Sequence, residues 1–280
     1  MKILSLNSHS LVENNWDEKM EYIAQKIHLE GYDVIALQEV NQTVEEKLVD
    51  VQELEECRYV EADETTKVRK DNFAYKLVSC LQELGEVYHW TFAISHIGYG
   101  IYEEGLALLS REPILDTQSL VVSKETNRIS PETRRQVGIT ICYQEQKIAF
   151  YSVHFGWWKK GEERFSNQWD QFCRQICLNE SGIIYVMGDF NNPAGVREEG
   201  YDYIMKDRIW KDTWDLNQYH DSCVTTQGFI DGWKKEKHGK RIDFILKNMP
   251  LEKGKFNIVF NGINGFVVSD HFGVEVEEIS

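Results

Sequence analysis

Short apolar runs, each closed by a polar residue, recur along the chain. Five of them, Lys2 to Leu6, Asp33 to Gln38, Lys147 to Val153, Ile183 to Met187 and Ile242 to Leu246, read as buried β-strands. Trp90 to Ser95, Gly105 to Leu109, Ile114 to Val122, Gln136 to Tyr143, Phe256 to Phe260 and Gly273 to Val276 are further strand candidates. Helical spacing replaces this pattern from Asp17 to Leu29, where Met20, Ile23, Ala24 and Ile27 fall on one face and Gly31 stops the helix. Further helices are expected from about Thr66 to Leu84 and from about Glu162 to Leu178, with a shorter one after Val196. The acidic stretch from Glu45 to Glu64 reads as a solvated helix face plus loop. No repeat or Pro- or Ser-rich linker interrupts the chain, so residues 1–280 are expected to form one domain.

The polar residues that close the strands carry the candidate chemistry. The first run leads into Asn7, the second into Glu39, the third delivers His154, the fourth leads into Asp189 and Asn191, and Asp243 is embedded in the fifth. A carboxylate inside an apolar strand is costly to bury unless it is paired or bound to a cation. Taken singly, each residue has another reading. Glu39 or Asp243 would serve as a cap or an ion-pair partner for Arg241, Asn191 would shape the turn before Pro193, and His154 would be a satisfied core histidine. Together, oxygen ligands far apart in sequence suit an octahedral magnesium site, whereas the nitrogen and sulfur spacing of a zinc site is absent.

The segments LSLNSHS, IALQEVN, GLALLSREPI, YSVHF, VMGDFNN, RIDFIL and SDHFGV resemble, in order, the motifs of the endonuclease/exonuclease/phosphatase superfamily. This resemblance implies an α/β fold, a four-layer sandwich of two central, mostly antiparallel mixed sheets flanked by helices. It also implies metal-assisted phosphoester hydrolysis with Mg²⁺, or Mn²⁺ in its place. Carried onto this chain, it makes Glu39 the principal metal carboxylate, Asn7 a second ligand or the amide that positions one, and Asp243 an aid to the metal or to a histidine. Asp189 would activate the attacking water, Asn191 would bind phosphoryl oxygens, and His154 and His271 would bracket the phosphoryl group. Asp270 would fix the ring of His271, and Glu104 would support His154, although Glu103 is adjacent.

Charge narrows the substrate. With 46 acidic against 31 basic residues the formal net charge is −15, which disfavours a polyanionic nucleic-acid partner. The loop after His154 holds Trp157, Trp158, Lys159 and Arg164, aromatic faces suited to a sugar ring beside cations suited to phosphate. The alternative for these tryptophans is core packing. The His-Phe-Gly-Trp-Trp segment resembles bacterial sugar-phosphate phosphatases of the maltose 6'-phosphate phosphatase type, which implies a small phosphorylated sugar as substrate. A nuclease of the same superfamily and a non-catalytic binding module are the competing readings. The six cysteines are scattered and read as reduced thiols. No apolar run approaches the ~20 residues of a membrane span, and the expected location is the cytoplasm.

Overall fold

A computed structural model of the chain describes residues 1–159, 163–176, 182–217, 222–228, 230, 233, 235 and 237–279. In chain order the elements are β1 (Lys2–Asn7), α1 (Trp16–Glu30), β2 (Val34–Thr43), α2 (Val51–Glu56), α3 (Phe73–Glu83), β3 (His89–Gly98), β4 (Tyr102–Ser110), β5 (Ile114–Val121) and β6 (Arg135–Tyr143). There follow β7 (Gln146–His154), α4 (Phe165–Gln175), β8 (Ile183–Asp189), α5 (Gly200–Met205), β9 (Lys211–Asp212), β10 (Asp243–Lys247), β11 (Gly254–Val259) and β12 (Gly273–Glu278).

The strands form two six-stranded sheets, ordered β11-β12-β1-β2-β4-β3 and β5-β6-β7-β8-β10-β9. Only β1 with β2 and β7 with β8 pair in parallel; the remaining neighbours are antiparallel. The four-layer α/β sandwich follows from which faces are apolar. Ile3, Ala36, Leu108, Ile139, Phe150, Met187 and Ile245 meet between the sheets. Leu4, Leu6 and Leu37 turn outward against Met20, Ile23, Ala24 and Ile27 of α1 and Leu77 of α3. On the far side Val153, Val186 and Phe190 pack on Phe165, Trp169 and Phe172 of α4. The central strands are therefore apolar on both faces, which explains why they read as continuous runs rather than alternating ones.

Each expected strand is present, with altered limits. The main difference is β2, which continues past Gln38 to Thr43 through a β-bulge between Leu37 and Val40. The helix expected from Thr66 starts at Phe73, capped by Asn72, whose Oδ1 accepts from the Tyr75 amide at 3.0 Å. Glu162 and Leu178, the expected limits of the next helix, lie outside the described residues; α4 spans Phe165–Gln175. Among the described residues no helix is long and apolar enough to cross a membrane. At one rim the sheets are tied together, because Gln38 Nε2 donates to Ser152 Oγ and Ser152 Oγ donates to the Leu37 carbonyl, both at 2.9 Å.

Candidate active site

At this rim the register aligns three polar residues of the second sheet. His154 is opposite Asp189 in the parallel β7–β8 pair, and Asp243 is opposite Asp189 in the antiparallel β8–β10 pair. Strand neighbours in register project to the same face, so the three side chains share one surface. The strands approach closely there, since a Cβ on Gly188 would lie 2.0 Å from the Val153 carbonyl oxygen. Asp189 is oriented by donors on both oxygens: the Asn191 amide to Oδ1 at 2.7 Å and Asn7 Nδ2 to Oδ2 at 3.2 Å. His154 Nε2 lies 3.6 Å from Asp189 Oδ2, and His271 Nε2 lies 3.8 Å from the same atom.

The partner of the His271 ring is Asp243, not Asp270. His271 Nδ1 is 3.0 and 3.1 Å from the two Asp243 oxygens, and Thr225 Oγ1 donates to Asp243 Oδ2 at 2.6 Å. Both Asp243 oxygens are thus engaged, with the His271 ring and with Thr225. Asp270 instead turns toward His9, 3.7 Å from its Nδ1. Asn191 directs its Nδ2 to the Phe155 carbonyl at 3.0 Å, so its side chain braces the loop while its backbone amide serves Asp189.

The first sheet supplies Asn7 and Glu39. Glu39 occupies the β2 bulge with φ of 49°, a left-handed conformation that turns its carboxylate toward the second sheet. Ser10 fixes that conformation: its Oγ donates to the Glu39 carbonyl at 2.7 Å and accepts from the Asn41 amide at 3.0 Å. A second bulge, in β3 between Ile94 and His96, faces the same stretch of β4. Gly105 sits between the two, where a Cβ would be 2.1 Å from the Ala93 carbonyl oxygen. Asn7 Nδ2 donates to Glu39 Oε1 at 2.9 Å, and Asn7 Oδ1 accepts from the His9 amide at 3.2 Å. In this arrangement Asn7 positions the carboxylate. Of the two adjacent glutamates, Glu104 faces the site, 3.9 Å from His154 Nδ1 and 3.6 Å from His96 Nε2, while Glu103 pairs with Arg69 at 2.6 Å.

Burial drives the electrostatics. Desolvation, with repulsion from Glu104, raises the Glu39 carboxyl above the usual range. Desolvation also raises Asp189, where repulsion from Asp243 and Glu39 adds to it and attraction to His271 opposes it. Burial holds His154 well below an ordinary imidazole, reinforced by Arg134 and His96. In His271 burial is outweighed by Asp243 and Asp189, which hold it well above the ordinary value. Carboxylates crowded in this way fit a divalent metal. Glu39, His154 and Asp189 can place one ligand atom each within 4.8 Å of one another, as can Asp189, Asp243 and His271, and His9, Glu13 and Asp270.

The carboxylates and histidines open into a cavity of about 430 Å³. Trp157 lines it, but Trp158, Lys159 and Arg164 do not. Trp158 packs on Phe165 and Tyr203 with ring centroids 6.4 and 5.8 Å away. Lys159 pairs with Glu199 at 2.9 Å, and Arg164 is exposed just ahead of α4. Lys160, Gly161, Glu162 and Phe229 lie outside the described residues. Arg134, His96, Glu163 and Gln168 also line the cavity and were not singled out by sequence. The one available signal was the Arg134-Arg135 pair opening an apolar strand.

Comparison with known proteins agrees with this architecture. The profile of the Endonuclease/Exonuclease/phosphatase family matches residues 4–271. No curated protein matches the sequence. The chain is similar to an endonuclease/exonuclease/phosphatase family protein from Leptotrichia buccalis C-1013-b, at 33% identity over 100% of both chains with a TM-score of 0.86. The mannosyl-6-phosphatase Bt3783 of Bacteroides thetaiotaomicron VPI-5482 shares the fold at 15% identity over 100% of both chains, with a TM-score of 0.66. Truncated TDP2 from Caenorhabditis elegans shares it at 16% identity over 98% of this chain and 95% of that one, with a TM-score of 0.62. The chain belongs to the endonuclease/exonuclease/phosphatase family, whose members hydrolyse phosphoesters and generally depend on a divalent metal.

Proposed function

We propose that this protein hydrolyses the phosphomonoester of a sugar phosphate to free sugar and inorganic phosphate, with Mg²⁺ as the cation. The observation that carries the reading is the convergence of His154, Asp189 and His271, with Glu39 opposite them, at the floor of one cavity. Glu39 would hold the cation, and Asn7 would keep its carboxylate aimed. When bound, the cation supplies positive charge to the phosphoryl oxygens. Asp189, fixed through both oxygens, takes the proton of the attacking water. His271, held by Asp243 through Nδ1, presents Nε2 as a donor to the phosphoryl group or leaving oxygen. His154 contributes a neutral imidazole N–H from the other side.

Support for a sugar comes from the cavity wall. Trp157 offers an aromatic face beside Gln168 and Glu163, polar groups suited to hydroxyls. Among the described residues lining the cavity, Arg134 is the lone Arg or Lys, which suits one phosphate better than a polyanion. The mannosyl-6-phosphatase among the structural neighbours fits the same reading.

The test is phosphate release with Mg²⁺ from maltose 6'-phosphate, glucose 6-phosphate and mannose 6-phosphate, alongside plasmid DNA. Turnover of at least one sugar phosphate, abolished by EDTA, is expected. Asp189→Asn should remain folded and lose about 10²–10⁴-fold in rate. Cleavage of DNA with no phosphate released from any sugar phosphate would overturn the assignment.

A further inference from the structure

The cavity contains a guanidinium that, among the described residues, no hydrogen bond or ion pair holds. Arg134 immediately precedes β6 and is 6% exposed. Its backbone is fixed, the amide donating to Ser123 Oγ at 2.8 Å and the carbonyl accepting from the Val122 amide at 3.0 Å. Extended backbone sends the next side chain the opposite way. There Arg135 Nη1 reaches Asp63 Oδ2 at 3.1 Å and Ser119 Oγ at 2.6 Å. Arg135 is thus a structural arginine with partners of its own.

Arg134 differs from it. Among the described residues its guanidinium donates no hydrogen bond and has no carboxylate within ion-pair reach, and its Cζ lies 5.9 Å from the centre of the Trp157 ring. Of the carboxylates that act on it through space, Glu104, Asp189 and Glu39 belong to the reaction centre, and Glu132 stands two residues before it in the chain. A guanidinium carries five donors in a planar fork, and burying that fork unpaired is costly unless an anion completes it. Arg134 lines the same cavity as His154, Asp189 and His271, so an anion reaching it also reaches the reacting groups.

We propose that Arg134 is the phosphoryl-binding residue of this site: its fork receives two terminal oxygens of a phosphate monoester dianion and so selects monoesters over diesters. A monoester has three non-bridging oxygens, enough to fill the fork and leave one for other donors. A diester has two, and they share a single negative charge. Free inorganic phosphate presents the same face and is bound as product. The Trp157 ring lies on one side of the guanidinium. The inference rests on the phosphoester-hydrolase reading but not on which sugar, if any, is attached.

The test compares p-nitrophenyl phosphate with methyl p-nitrophenyl phosphate, which share a leaving group, on the full chain with Mg²⁺. Arg134→Gln should lower kcat/KM for the monoester about 100-fold, the effect of losing two charge-assisted hydrogen bonds, and for the diester about threefold or less. Calorimetry with inorganic phosphate should show weaker binding by a similar factor. Arg134→Lys, a charge without the fork, should recover only part of both losses. An equal fall on both esters with phosphate binding unchanged would overturn the proposal and make Arg134 a structural residue. If the protein hydrolyses neither ester, the hydrolase reading fails, and phosphate calorimetry then decides on Arg134 alone: binding lost in Arg134→Gln upholds the anion site, and no binding by the unaltered protein overturns it.

Discussion

Several consecutive pairs along the chain split their duties, those on strands because neighbouring side chains of extended backbone point apart. Glu103 pairs with Arg69 while Glu104 faces His154. Arg135 pairs with Asp63 while Arg134 turns into the cavity. Asp270 turns to His9, leaving His271 to Asp243 on another strand. Trp157 lines the cavity while Trp158 packs against Tyr203. This last split is directly measurable. Trp157→Ala should raise KM for the sugar phosphate by about tenfold, a loss of ~1.4 kcal/mol of stacking, with a small change in melting temperature. Trp158→Ala should leave KM unchanged and lower stability by about 1–3 kcal/mol in denaturant titrations. The reverse pattern would reassign the loop. The pairs also mark how far the sequence was legible: the motif resemblance picks out Glu104 and His271, but nothing in the sequence separates Trp157 from Trp158 or marks Arg134. That choice depends on the phase of each strand, which is set by packing across the sheets. The resemblance implies Asp270 for the His271 ring, but the ring turns across to Asp243 on strand β10.

At the level of elements, the sequence was most legible where apolar runs were longest and least where backbone geometry departs from the ideal. The strand ending expected at Gln38 is a bulge, and no glycine announces it because Glu39 itself adopts the positive φ, held there by Ser10. The helix expected from Thr66 loses about its first two turns because the segment before Phe73 is held by side chains instead. Asp63 is the clearest case. It accepts from the Thr65 amide at 3.0 Å and from Ser119 Oγ at 2.7 Å, and it pairs with Arg135 at 3.1 Å, strapping the loop after α2 onto the β5–β6 hairpin. Burial works against its ionised form, but these donors and the Arg135 charge outweigh it and hold the carboxyl down at about 2. A carboxyl depressed in the folded state contributes stability that is present above its unfolded value, near 3.9, and is lost as pH falls through about 2. Asp63→Asn should therefore cost about 1–2 kcal/mol at pH 7, after discounting for partial solvent exposure. The gap between variant and unaltered protein should close progressively below pH 4 in denaturant titrations. A gap independent of pH would show that shape, not charge, holds the strap.

Across the whole molecule, two sheets from distant parts of the chain meet so that carboxylates from each face one another. Glu39 comes from the first sheet and Asp189 from the second, and the overall charge of −15 adds to their repulsion. Folding without a cation thus buries like charges together, and a divalent metal bound only by the folded state returns that cost as stability. At Mg²⁺ a hundredfold above its Kd, the gain for one site is about 2.7 kcal/mol, several degrees in melting temperature. Glu39→Gln relieves part of the repulsion and removes the main proposed ligand, so it should melt at or above the metal-free parent and lose most of the Mg²⁺ shift. Asp116→Asn, a change of equal charge at an exposed position, should keep the full shift. These two variants separate local coordination from general charge screening, since screening would respond to both alike. A full Mg²⁺ shift retained in Glu39→Gln would move the metal away from the bulge of β2, and with it the geometry that makes Asp189 the base.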